Sequence, residues 1–120
     1  MSKALSRLRK IKSTIEDIEF ILQELDFKVT NAIEDKLVKP ALRMHIVKVA
    51  EQFSKLKEEN EFKTLENFTA RDLRGISAVR NFIAHDYDSV DEEIIEDVLR
   101  LNLPAIKAIV EKVLAKANSA

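Results

Sequence analysis

A chain of 120 residues with a single glycine and two prolines has very few places to turn sharply. Strand-rich domains reverse direction often and spend glycine and proline to do so, which leaves helices as the available architecture. The apolar residues agree. Leu5, Leu8, Ile11, Ile15, Ile18, Ile21 (or Leu22) and Leu25 recur at spacings of three and four, the mark of one buried helix face, and predict a first helix from Lys3 to Leu25.

A second helical region is expected from Thr30 to Glu59, with Ile33, Leu37, Leu42, Ile46, Val49, Phe53 and Leu56 on its apolar side. Pro40 has no backbone donor and clashes one turn back, so a break or kink is expected near it. The charged stretch from Lys55 to Phe62 reads as a helix end plus loop. Thr69 then suits an N-cap, with Asp72 as its reciprocal acceptor, and opens a third helix running to about His85. Residues Asp86 to Asp91 read as a loop, with Ser89 or Asp91 capping a fourth helix. Glu92 and Glu93 in its first turn suit the helix dipole. Ile94, Ile95, Val98, Leu99, Leu101 and Leu103 supply its core face. Pro104 should kink that helix or begin a fifth, where Ile106, Ile109, Val110, Val113 and Leu114 continue the stripe. The expected fold class is all-α: a four- to five-helix antiparallel bundle forming one domain over residues 1–120, frayed at 117–120.

Charge and cysteine usage narrow the function. The formal net charge is −1, with 34% charged residues, so no global basic field attracts nucleic acid and any polyanion must meet a local patch. One basic segment exists: Lys3, Arg7, Arg9, Lys10 and Lys12 begin the first helix, the end the helix dipole least favours for cations. A solvated face is its ordinary reading; a strip for a partner or RNA is its sharper one. The lack of cysteine excludes disulfides, thiolate metal sites and thiol nucleophiles, and suits a reducing cytoplasmic compartment. No apolar run approaches the roughly 18 residues that span a bilayer, and the first residues hold no apolar core of a signal peptide, so no membrane association is expected.

The stretch from Gly75 to Tyr87 carries the chemistry. On a helix, Ile76, Val79, Ile83 and Tyr87 share one face, while Arg74, Asn81 and His85 form a second, polar stripe. Ser77, Ala78 and Ala84 are small, and Gly75 stands there despite costing about 1 kcal/mol relative to alanine in a helix. Small residues around a polar stripe admit a second helix or subunit. His85 can act as general acid or base near neutral pH. Arg80 and Arg74 can stabilise phosphate by charge-assisted hydrogen bonds. Asn81 can orient the imidazole or bind a ribose hydroxyl, and Tyr87 can stack on a base. On residue chemistry alone, a single histidine at a helix C-terminus is more often a partner of the dipole than a catalyst. Arg80 and His85 also differ by about 140° around an ideal helix, so they converge only where the helix ends or bends or Arg80 curls around it.

Arg80-x4-His85-x-Tyr87, with Asn81 directly after the arginine, resembles the Arg-x4-His-x-Tyr motif of HEPN domains and in particular of HepT-like toxins. Asp91 and Leu103-Pro104 resemble features that follow that motif, and Val49-Ala50-Glu51 resembles a glycine–glutamate segment of the second helix. The resemblance implies a helical HEPN bundle that forms a homodimer, with motif helices lining a cleft at the twofold axis. It implies an endoribonuclease toxin that needs neither metal nor cofactor. Arg80 and His85 would be catalytic and Asn81 and Tyr87 supporting, beside Arg74 as a possible RNA contact. It further implies a minimal nucleotidyltransferase antitoxin (MntA-like) that silences the toxin by AMPylation of Tyr87. Dimerisation also supplies what one chain lacks, because two copies of His85 provide the two proton-transfer groups that acid–base cleavage commonly uses. His45 lies in another helix and is expected to be structural. The alternative reading, from a different class, is a non-catalytic accessory subunit that binds nucleotide or substrate for a nucleotidyltransferase.

Overall fold

The computed structural model describes residues 2–26, 28–85 and 92–119, and among them every regular element is helical. Helix α1 (Lys3–Gln23) is capped by Ser2, whose Oγ accepts from the Leu5 N–H at 3.0 Å. Its buried residues are Ala4, Leu8, Ile11, Ile15, Ile18 and Leu22, so the stripe settles on Leu22, with Ile21 only partly covered. Ala4 takes the buried place expected of Leu5. Each fully buried leucine or isoleucine of this kind contributes about 1.5–3 kcal/mol.

The expected second region is two helices, α2 (Val29–Glu34) and α3 (Val38–Glu58). The break precedes Pro40. Asp35 makes it, its Oδ1 accepting from the N–H groups of Leu37 and Val38 at 2.9 and 3.0 Å. Pro40 stands in the first turn of α3, where its missing N–H has no intrahelical partner to lose. Leu37, expected on the apolar side, lies in the break and is 86% exposed.

Helix α3 ends in a Schellman motif. Asn60 takes a left-handed conformation (φ 58°), the Glu61 N–H returns to Leu56 O at 2.9 Å, and the Asn60 N–H to Lys57 O at 3.1 Å. The helix end and loop expected between Lys55 and Phe62 are followed by one short turn, α4 (Phe62–Leu65). Phe68 packs edge to face on Phe53, with ring centroids 5.0 Å apart.

Helix α5 (Ala70–Ala84) begins as the sequence suggests, with Thr69 Oγ1 accepting from the Asp72 N–H at 3.1 Å. The expected cap at Ser89 or Asp91 lies outside the described residues. Helix α6 (Glu92–Asp97) runs through a π-helical turn (Val98–Asn102) into α7 (Leu103–Asn118). Of the two outcomes expected at Pro104, a kink or a new helical segment, the second holds, and the chain stays helical into it through the π turn. The Leu103 N–H reaches back five residues to Val98 O, and Pro104 falls in the first turn of α7. This widened turn shifts the phase of the stripe: Val98, Leu99 and Asn102 are buried, whereas Leu101, expected in the core, is 51% exposed.

Ion pairs between helices establish the topology. Lys3 and Arg7, at the start of α1, reach Glu59 just past the end of α3. Lys107, early in α7, reaches Glu19 late in α1 at 2.7 Å. Helix α1 thus runs antiparallel to both neighbours, and α3 is sandwiched between α1 and α5. Residues of the three long helices and of α5 form one core, in which Leu8, Ile11, Ile46, Leu56, Val79, Ile106 and Val110 are fully covered. Among the described residues, no helix is long and apolar enough to cross a membrane.

Candidate active site

Helix α5 is held to the bundle by Ile76 and Val79, both buried, and by Leu73 and Ile83 at the margins of the same face. Asp72 belongs to this face as well. It does not close the reciprocal half of the cap at Thr69; its carboxylate is buried and accepts from Asn102 Nδ2 at 2.8 Å. Asn102 comes from the π turn and lies directly over Gly75, where a Cβ would stand 3.1 Å from its Nδ2. Gly75 thus permits close approach of the segment on the far side of residues 86–91.

The opposite face of α5 is open. Arg74, Ser77, Ala78, Asn81, Ala84 and His85 are all exposed, so the polar stripe and the small residues beside it face outward together. His85 is the C-cap. Its backbone N–H donates to Asn81 O at 3.1 Å, and the helix ends at Ala84. The helix end, one of the conditions for Arg80 and His85 to approach one phosphate, is therefore met at this position. Tyr87 lies outside the described residues.

Arg80 is half-buried on the flank of α5 facing α3. Its Nη2 and Nε donate to Glu51 Oε1 at 3.2 and 3.4 Å. This engages the Nε–H and one Nη2–H, leaving the Nη1 N–H groups and the second Nη2–H for another acceptor. Glu51, which the sequence offers only within the Val49-Ala50-Glu51 resemblance and without a site role, is the partner of Arg80. A signal for it existed, because Glu51 is the only acidic residue between Lys36 and Lys57. Beside the ion pair, a pocket of about 150 Å³ is lined by Ala50, Phe53, Leu73 and Ile76, with Ser77 and Arg80 among its polar residues. An apolar lining next to a guanidinium is an environment suited to a flat, unstacked base.

His45 takes no part in this site. Its Nδ1–H donates to Ala41 O, one turn back in α3, at 2.6 Å.

The arrangement presents a guanidinium, a carboxamide and an imidazole along the last turns of one helix, with the guanidinium braced by a carboxylate from the next. No curated protein and no solved structure gives a significant match to this chain. The family described as Ribonuclease HepT-like matches it over residues 11–113, from the first turns of α1 to the last turns of α7, and the chain is a member of that family, built on a HEPN-type all-α bundle.

Proposed function

We propose that the protein is a metal-independent endoribonuclease that acts as the toxin of a toxin–antitoxin pair. The observation that carries this reading is the family match over 11–113 combined with Arg80, Asn81 and His85 at the C-terminal end of α5, Arg80 braced by Glu51. The reaction is transesterification. A ribose 2′-oxygen attacks the adjacent phosphorus, a base takes its proton, the P–O5′ bond breaks, and an acid returns a proton to O5′. The products are a 2′,3′-cyclic phosphate and a 5′-hydroxyl. Two copies of His85 across a homodimer axis serve as base and acid. The Arg80 N–H groups not used by Glu51 stabilise the charge that builds on the non-bridging oxygens. Asn81 and Tyr87 support substrate placement, and Arg74 contacts RNA along the same exposed face. In this reading Tyr87 is also where a minimal nucleotidyltransferase antitoxin adds AMP, placing an anion beside a site that must bind one.

The test pairs induced expression of wild type and His85→Ala with cleavage by the purified proteins. Growth arrest, RNA fragmentation that persists in EDTA, and cyclic phosphate ends in wild type alone are expected. Equal cleavage by both proteins would remove His85 from the chemistry. Soluble dimer with neither arrest nor cleavage would favour the accessory-subunit reading.

A further inference from the structure

We infer that the groove between the first half of α1 and α3 is a track for the phosphate backbone of single-stranded RNA, leading to Arg80. This rests on the ribonuclease reading and adds to it a binding surface remote from the Arg-x4-His motif.

The groove has a volume of about 690 Å³ and is lined by Ser6, Arg9, Lys10 and Ser13 from α1 and by Lys48 and Lys55 from α3. Its charge stands against the balance of the chain. The protein as a whole carries −1, yet residues 3–14 hold five cations and no carboxylate. Among the described residues the one carboxylate lining the groove is Glu51, and that group is engaged by Arg80. Lys10, Lys48 and Lys55 therefore line one groove with no carboxylate of their own among the described residues.

Neighbouring cations on α1 are used differently. Arg7 binds Glu59 through two N–H···O contacts of 2.7 and 2.8 Å and donates to Gln52 Oε1 at 3.1 Å, with Lys3 joining the same carboxylate. That cluster fixes α1 against α3 and sets the groove's walls. Lys10, Lys48 and Lys55 are exposed, and among the described residues none of them is in a salt bridge. Like charges left adjacent on a rigid seam are relieved by a polyanion, and neutralising phosphates releases the counterions condensed on them.

The shape indicates a polymer. From Ser6 to Thr14 the wall extends about 12 Å along the helix, more than one phosphate needs. Hydroxyls of Ser6 and Ser13 can donate to phosphate oxygens or meet ribose hydroxyls, and among the described residues no aromatic side chain lines the groove to stack a base. Recognition there is by backbone and indifferent to sequence. Glu51 joins the track to the reacting centre, since it lines the groove and holds the guanidinium of Arg80. A single strand is specified because an in-line 2′-oxygen attack needs a backbone free of the A-form helix.

The experiment measures anisotropy of a fluorescein-labelled single-stranded RNA on the His85→Ala protein across a range of KCl concentrations. Lys10→Gln with Lys48→Gln is compared with a matched charge loss on α7, Lys112→Gln with Lys116→Gln. The groove pair should flatten the slope of log K against log[salt] by about 1.4, roughly 0.7 for each lost phosphate contact, while the α7 pair leaves it unchanged. Equal slopes for both pairs, or no RNA binding at all, overturns the track. The outcome separates from that of the ribonuclease reading. RNA held in the groove without cleavage by wild type keeps the track and loses the enzyme; cleavage with an unaltered groove-variant slope does the reverse.

Discussion

A methyl group on Gly75 would stand 3.1 Å from Nδ2 of Asn102, and Asn102 is not free to retreat, because that same nitrogen donates to the buried carboxylate of Asp72 at 2.8 Å. Gly75→Ala should therefore destabilise the protein, although alanine is the better helix former by about 1 kcal/mol. In an Asn102→Ala background the obstruction is gone, and Gly75→Ala should become stabilising by up to about 1 kcal/mol. Asn102→Ala itself should cost about 1–3 kcal/mol by leaving Asp72 buried without its donor. Urea denaturation of the four proteins closes the cycle. The same sign for Gly75→Ala in both backgrounds would show that the glycine is not there for Asn102.

Glu51 and Arg80 are both about two-fifths exposed, so their ion pair should add well under 1 kcal/mol to stability. Its role in the proposed reaction is to aim the guanidinium. Glu51→Ala is expected to leave the Tm within a degree or two of wild type while lowering kcat by roughly tenfold or more, as misplacement of a reacting group does. KM should change less, and Glu51→Gln, which keeps an acceptor oxygen, should recover part of kcat. A fall in Tm that matched the fall in kcat would make Glu51 a structural residue only.

Phe68 lies beyond α4, in a stretch that the helical periodicity did not cover, yet it is 6% exposed and meets Phe53 at an interplanar angle of 88°. Phe68→Ala should cost about 3–5 kcal/mol, and Phe68→Leu appreciably less, since most of the volume is kept. Thermal unfolding with near-ultraviolet circular dichroism reads both. Equal losses from the two substitutions would assign the effect to the aromatic contact and not to the cavity.

The parts of this fold that are plain in the sequence are those governed by local period. The stripe from Leu8 to Leu22 can be read because each buried residue answers to one three or four places away. The cap at Thr69 can be read because its acceptor and donor are three residues apart. What could not be read depends on distant partners. Asp72 has the spacing of a capping box, but its carboxylate answers to Asn102, thirty residues on. Glu51 and Arg80 are separated by 29 residues and meet only because α3 and α5 pack together. Leu101 was misassigned because nothing in Val98-Leu-Arg-Leu-Asn102 marks a π turn, and one widened turn is enough to move a core position to the surface. The resemblance assigns roles to Arg80, Asn81 and His85 from the sequence alone, whereas the brace on Arg80 is visible only in the tertiary structure.

Glu59 ties the first turns of α1 to the end of α3, and the hydrogen bond from Arg7, seconded by that from Lys3, holds its carboxyl at about 2, below an ordinary 4.5. The sign of the pH effect follows. Between these two values the unfolded chain protonates Glu59 while the folded protein does not, so the unfolded state gains protons as pH falls and stability is lost. Above about pH 5 both states carry the charge and the contribution of the pair is complete. Denaturant midpoints of wild type and Glu59→Gln should therefore differ most from pH 7 down to about 5, converge from about 4.5 downward, and meet only below about 2. Arg7→Lys, which cannot offer the same two-pronged donor, should narrow the pH interval over which the curves converge. Curves that stay parallel from pH 7 to 2 would mean that Glu59 titrates normally and that the α1–α3 seam is held by its buried leucines and isoleucines alone.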